Sequence, residues 1–231
     1  MSAVAIIPAR GGSKRIPRKN IRSFLGKPII AYSIELAIRS GLFDEVMVST
    51  DDQEIANIAE KYGARIPFLR SPEASDDHAT TAVVITEVLD SYALSDRSFT
   101  FACCIYPTAP LLKVEVLRNA FELLKKESFD TVFPTVPFGY PIWRSLKLDG
   151  QKSRVLMNWP EYIHTRSQDL PVAYHDAGQF YWLNCEVFKE APLLFGDNSG
   201  TIVLSEMEVQ DIDNINDWTL AELKATLLNA R

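Results

Sequence analysis

Seven basic side chains crowd one short stretch of this chain: Arg10, Lys14, Arg15, Arg18, Lys19, Arg22 and Lys27. No acidic residue stands among them, and the turn Gly11-Gly12-Ser13 lies near their start. Glycines after a strand let backbone N–H groups close on phosphate oxygens. A serine adds a hydroxyl donor, and Arg10, Lys14 and Lys19 supply the cations that a triphosphate needs. Val4-Ala5-Ile6-Ile7 reads as the feeding strand. The order strand, glycines, bases therefore points to a polyphosphate site, against the alternative of a solvated charge run. A second group is Gln210-Asp211-Ile212-Asp213-Asn214, where alternation along an extended segment puts Asp211 and Asp213 on one face. Two hard carboxylates so placed suit Mg²⁺, with phosphates and water completing its shell. The same pattern also serves as a helix cap before Asp217-Trp218.

Several other chemistries are excluded. Gly26-Lys27 is followed by Pro28, so there is no G-x-x-x-x-G-K-[ST] loop, and G-x-G-x-x-G is missing. His78, His164 and His175 lie too far apart for an H-E-x-x-H metal helix, and no G-x-S-x-G elbow is present. With 24 Lys+Arg against 30 Asp+Glu and a net charge of -6, the chain lacks the positive excess of nucleic-acid binders. No apolar run reaches the ~20 residues of a membrane span, and the N-terminus enters a strand rather than a leader. A cytoplasmic protein with no nucleic-acid or membrane partner is expected. Cys103, Cys104 and Cys185, odd in number and without C-x-x-C spacing, read as core thiols.

These residues need a frame, and the periodicity provides one for a single domain of 231 residues. Strands are expected at Ala3 to Ile7, Val46 to Val48, Ile66 to Leu69, Phe99 to Ile105 and Thr131 to Val136. Helices are expected from Pro28 to Ser40, after Asp52 as far as Gly63, over Thr80 to Leu94 and over Val114 to Lys126. Such alternation implies an α/β protein with a mainly parallel sheet covered on both faces. Between about Pro134 and Pro171, prolines and the turn Asp149-Gly150, flanked by Ile142 to Leu148 and Arg154 to Met157, predict an inserted β-rich lobe. Strands at Gly178 to Leu183 and Ile202 to Ser205 and a helix over Asp217 to Leu228 close the chain. Ile105 to Leu112, stiffened by Pro107 and Pro110, is the loop after the fourth strand.

Taken together, IPARGGSKRIPRKNI, GKPIIAYSI, VSTDD, YPTAPLL, RSQDLP and DIDN resemble the cytidylyltransferases that activate nonulosonic acids, the sialic acid synthetase group. The matches run in order over about residues 4 to 218. The resemblance implies a three-layer αβα nucleotide-diphosphosugar transferase (Rossmann-like) fold. It also implies Mg²⁺-dependent transfer of CMP from CTP to the anomeric hydroxyl of an acidic nine-carbon sugar, with pyrophosphate released. By position it places Arg10, Lys14, Lys19 and Asn20 on the triphosphate and Ala79-Thr80-Thr81 at the cytidine. Asp211 and Asp213 fall on the metal and Arg166 faces the acceptor, where a guanidinium suits a carboxylate.

The departures concern the acceptor. Sialate enzymes carry Q-P-T-S-P-L where this chain has Tyr106-Pro107-Thr108-Ala109-Pro110-Leu111, and N-G-A-I-Y where it has Ala177-Gly178-Gln179-Phe180-Tyr181. Tyr106, Pro134 to Pro141 and the run Tyr174 to Trp182 are similar instead to the pseudaminic acid branch of that family. The resemblance thus assigns the sugar to Tyr106, Thr108, Arg166, Gln168, Tyr174, His175, Asp176, Gln179 and Phe180, although alternation in a strand leaves at least one of Phe180, Tyr181 and Trp182 to the core. N-acetylneuraminic and legionaminic acids are the rival acceptors, and a silent nucleotide-binding protein is the rival class. Arg10, Lys19 and Asp211 are the expected catalytic groups. For the general base a metal-linked aspartate leads, with His175 and Asp176 behind it. The lobe, with Tyr140, Trp143, Trp159 and Tyr162, is expected to make a homodimer contact.

Overall fold

The structure is a computed structural model and describes residues 2–150 and 153–229. Its first strand, β1 (Ala3–Pro8), is apolar throughout because both of its faces are covered. Ala3, Ala5 and Ile7 enter one core, whereas Val4 and Ile6 enter another. The chain then makes a small hairpin of β2 (Ser23–Phe24) and β3 (Lys27–Pro28), and Pro28 leads into α1 (Ile29–Ser40). Gly41, at φ +66°, ends that helix in the left-handed region that glycine tolerates. β4 (Glu45–Ser49) follows. Asp52 then caps α2 (Gln53–Lys61) by accepting the N–H groups of Glu54 and Ile55. The short α3 (Pro72–Ser75) precedes α4 (Thr81–Ala93), β5 (Phe101–Ile105), α5 (Val114–Glu127) and β6 (Thr131–Pro137). After β6 come the hairpin β7 (Leu146–Asp149) and β8 (Arg154–Met157), β9 (Tyr174–Asp176), β10 (Phe180–Asn184), α6 (Cys185–Glu190), β11 (Ser199–Val203) and α7 (Ile215–Asn229).

The main sheet has the order β11-β6-β10-β5-β1-β4, with β9 added on β6. Five of its seven strands share one direction, and β10 and β9 run against them. Residues of α1, α2 and α5 fill the core on one face, and residues of α4 and α6 fill the core on the other. The result is the expected αβα sandwich. A third, smaller core joins Phe24 and Ile16 to Trp218, Ala221 and Ala225 of α7.

Three expectations are corrected. Ile66 to Leu69 forms no strand: a single bridge joins Met47 to Arg65, and Pro67, which has no N–H, interrupts the ladder. Ile142 to Arg144 is a turn of 3₁₀ helix, and the strand starts only at Leu146. The lobe begins later than Pro134, because β6 continues through Pro134 to Pro137 alongside β11 and β9. The expected turn Asp149-Gly150 leads into residues 151–152, which lie outside the described residues.

Candidate active site

Strands β1, β4 and β5 run parallel, so the loops that follow Pro8, Ser49 and Ile105 leave the same edge of the sheet. β10 runs the other way and brings the residues before Phe180 to that edge. In open α/β sheets this is where ligands bind. A cleft of about 540 Å³ lies there. It is lined by Arg10, Ser13, Lys14, Arg15, Lys19 and Asn20 of the basic loop, by Arg70, Asp77, Ala79 and Thr81, by Tyr106, Pro107 and Thr108 after β5, and by Asp211 and Asp213.

The basic loop is pinned from behind. Gly11 N–H donates to Asp51 Oδ1 at 2.9 Å, and a Cβ on Gly11 would come within 2.7 Å of an Asp52 oxygen, so a side chain there would displace the Asp52 carboxylate. Arg18, at φ +58°, pairs with Asp52 and Glu54 and so belongs to the scaffold. Asn20 Nδ2 donates to the Arg10 carbonyl at 3.0 Å and is nearly buried. The Arg10 guanidinium meets Asp77 Oδ1 at 2.8 Å, and Lys14 donates to the same carboxylate. These contacts, that of Lys14 first, hold the Asp77 carboxyl below its usual range.

The acidic pair is set by α7. Asn214 Oδ1 accepts the N–H groups of Asn216 and Asp217, and Asp217 Oδ2 accepts those of Asp213 and Asn214. Asn214 and Asp217 therefore supply the cap, leaving Asp211 and Asp213 on the cleft. Arg15 pairs with Asp213 at 2.7 Å. Lys19 donates to the Ile212 carbonyl at 2.6 Å, between the two aspartates. Burial lowers the Lys19 pKa against the pull of Asp213 and Asp211, and burial together with Asp213 raises that of Asp211. Among the described residues no group of three His, Cys, Asp or Glu is poised for a metal. A pair of carboxylates fits Mg²⁺, which takes its other ligands from phosphate and water, and does not fit an all-protein zinc cage.

Of the residues expected from the sequence, Arg10, Ser13, Lys14, Lys19, Asn20, Ala79, Thr81, Tyr106, Thr108, Asp211 and Asp213 meet in this cleft. The others do not line it. Gly11 and Gly12 form the turn behind the loop. Thr80 is the N-cap of α4, its hydroxyl accepting from Val83 N–H, and it faces a separate groove with Ser71 and Glu87. Phe180 is 0% exposed in the core, since strand alternation sends it inward beside Trp182. Gln179 is buried, with Nε2 on the Glu208 carbonyl at 2.7 Å. Asp176 accepts from Gly178 N–H and the Tyr181 hydroxyl. Arg166 and Gln168 are exposed on the lobe, and Tyr174 and His175 are exposed on β9.

Two charged cleft residues escaped the sequence reading. One is Asp77, hidden in the polar run Asp76-Asp77-His78. The other is Arg70, 8% exposed, with Nε on Ser49 Oγ at 2.9 Å and Nη2 on the Ser49 carbonyl. Neutral oxygens hold this guanidinium and burial lowers its pKa, so its charge is carried to the cleft beside Ala79 and Thr81. A lone arginine closing the apolar run Ile66-Pro67-Phe68-Leu69 was the available signal.

A cleft at the carboxyl edge of a mainly parallel sheet, lined by basic and acidic side chains, is the place where α/β proteins of this architecture bind nucleotides. The family model described as "Cytidylyltransferase" matches residues 4–191, and the chain belongs to that family. It is similar to a pseudaminic acid cytidylyltransferase of Campylobacter jejuni, at 44% identity over 223 residues and 96% of each chain. A Helicobacter pylori protein named pseudaminic acid cytidylyltransferase and UDP-2,4-diacetamido-2,4,6-trideoxy-beta-L-altropyranose hydrolase is 41% identical over 96% of this chain and 42% of its own. Among solved structures, a CMP:2-keto-3-deoxy-manno-octonic acid synthetase complexed with CTP shares the fold, with a TM-score of 0.70, 16% identity and complete coverage of both chains.

Proposed function

We propose that this protein transfers CMP from CTP to the anomeric hydroxyl of pseudaminic acid, releasing pyrophosphate. The observation that carries this reading is the meeting of the basic loop and the acidic pair in one cleft, with Lys19 tied to Ile212 between Asp211 and Asp213. The 44% identity to the Campylobacter relative along the whole chain supports pseudaminic acid as the acceptor.

In this mechanism the sugar hydroxyl attacks the α-phosphorus in line, and Arg10, Lys14 and Lys19 stabilise the charge that develops on the departing pyrophosphate. Asp211 and Asp213 would hold Mg²⁺, which when bound supplies neutralising charge at the triphosphate. Asp211, which lines the cleft beside Lys19, is the group we assign to take the hydroxyl proton. Asp176 is spent on Tyr181 and Gly178, and His175 lies off the cleft, which leaves neither suited as base. Arg70, Ala79 and Thr81 receive the cytidine, a guanidinium being suited to the acceptor atoms of the base edge.

We also infer a homodimer built through the lobe. Trp143 packs on Trp159 and Tyr162, and its indole N–H donates to the Pro171 carbonyl, so these aromatics consolidate the lobe itself. Exposed apolar residues here include Tyr140 and, on the β7–β8 hairpin, Leu146, Leu148, Val155 and Leu156, with Leu148 opposite Val155. Pairing there is compatible with Arg166 reaching the cleft of a second copy. A coupled pyrophosphate assay with CTP and a panel of pseudaminic, N-acetylneuraminic and legionaminic acids tests the function. Turnover is expected with pseudaminic acid, and preference for either other sugar overturns the assignment.

A further inference from the structure

The acidic pair stands on a segment without regular structure, since residues 209–212 belong to no helix or strand. A backbone outside any ladder must find partners for its carbonyl groups elsewhere, and here side chains provide them. Lys224, half-buried on α7, donates to the Glu206 carbonyl at 2.8 Å, the Val209 carbonyl at 2.7 Å and Gln210 Oε1 at 3.0 Å. Gln210 Nε2 in turn donates to the Asp211 carbonyl at 3.0 Å. One ammonium thus reaches Asp211 through one amide.

Counting donors decides what this lysine can do. An ammonium has three N–H groups and no lone pair, and each of the three has an acceptor on this segment. None is left for a substrate, and Lys224 does not line the cleft. Asp217 stands two turns earlier on the same face of α7, and its Oδ2 accepts the N–H groups of Asp213 and Asn214. The helix therefore grips the segment on both sides of the pair, with a cation before Asp211 and an anion after Asp213. Trp218, Ala221 and Ala225 of the same helix share a core with Ile16 of the basic loop and with Ile212. We propose that Lys224 is a positioning residue for the metal-binding pair: by holding the chain before Asp211 against α7, it sets where both carboxylates stand on the cleft. Removing an outer partner of this kind weakens metal binding by about 10–100-fold in metal sites generally. The inference rests on the reading of Asp211 and Asp213 as metal ligands and deepens it.

Lys224→Met keeps the length of the side chain and removes its three donors. Mn²⁺ binding to the full chain with CTP and without sugar, read by water-proton relaxation, is expected to weaken about tenfold or more. CTP binding in EDTA, read by equilibrium dialysis, should stay within about twofold of wild type, because the basic loop is untouched. In pyrophosphate-release assays the Mg²⁺ concentration for half-maximal rate should rise by the same factor. Excess Mg²⁺ should then restore most of kcat, which it would not do for a damaged fold. Gln210→Ala removes the amide link, leaves Lys224 its two carbonyls, and should move both metal readings the same way by less. Should Lys224→Met fail to fold, Gln210→Ala decides alone. Unchanged Mn²⁺ binding in the folded variants, or metal-free CTP binding that falls together with it, overturns the proposal. Wild-type and Asp211→Asn proteins that bind Mn²⁺ with CTP equally well overturn the metal reading itself, and the proposal with it.

Discussion

Lys19 and Ile212, far apart in sequence, are joined by a 2.6 Å hydrogen bond from the ammonium to the carbonyl, and the carboxylates of Asp211 and Asp213 flank it. This bond closes the cleft. It ties the glycine-rich basic loop to the segment that α7 holds, and so fixes Lys19 beside Asp211 and Asp213.

Lys19→Ala is therefore expected to lower kcat by about 10²–10³, the scale of losing one preorganised charge at a developing anion. The circular dichroism spectrum should be unchanged. Near-wild-type turnover would remove Lys19 from the chemistry.

Asp211→Asn separates activity from stability. The folded Asp211 pKa is raised above its unfolded value, so the stability it contributes is present below about 3.8 and is lost as pH rises through the folded value. At neutral pH the ionised group therefore costs stability, and the asparagine variant should melt at the same temperature or higher while losing turnover. Asp213→Asn should steepen the Mg²⁺ requirement, which a metal titration of initial rates reads directly.

Asp52 has the opposite sign. The Arg18 hydrogen bond, followed by the N–H groups of Ile55 and Glu54, outweighs burial and holds its pKa at about 2. Its contribution is present above about 3.8 and is lost as pH falls toward 2. Asp52→Ala is expected to cost about 1–2 kcal/mol in urea unfolding at pH 7, and the difference from wild type should shrink on acidification.

Arg70→Lys retains the charge but not the planar fork that holds Ser49 by two nitrogens. The KM for CTP should rise about tenfold with the sugar KM unchanged, measured by varying each substrate in turn.

Leu148→Glu on the exposed hairpin face should convert a dimer into a monomer by light scattering, since a charge would be buried at the centre of an apolar contact. An unchanged mass would place the interface elsewhere.

Much was legible from local rules. Gly41 ended α1 and Asp52 began α2, because caps and turn conformations depend on neighbouring residues alone. That the basic loop and the Asp211-Ile212-Asp213 segment stand out was readable for a related reason: each is a cluster of like residue types at short spacing, and both line the cleft. The strand expected at Ile66 to Leu69 failed because an apolar run does not reveal whether its N–H groups have a ladder to join.

The sequence by itself determined the alternation of strands and helices, the glycine-rich basic loop, the acidic pair and, through ordered motifs, the family. Only the tertiary structure decided that Arg70 and Asp77 stand on the cleft and that Thr80 turns away from it. It alone decided that Phe180 belongs to the core while its neighbour Tyr181 donates to Asp176 and packs edge-on against Tyr106. The physical reason is range. Caps, turns and alternation are settled by residues a few positions apart, whereas the partners of a buried polar group are set by which distant strand packs beside it.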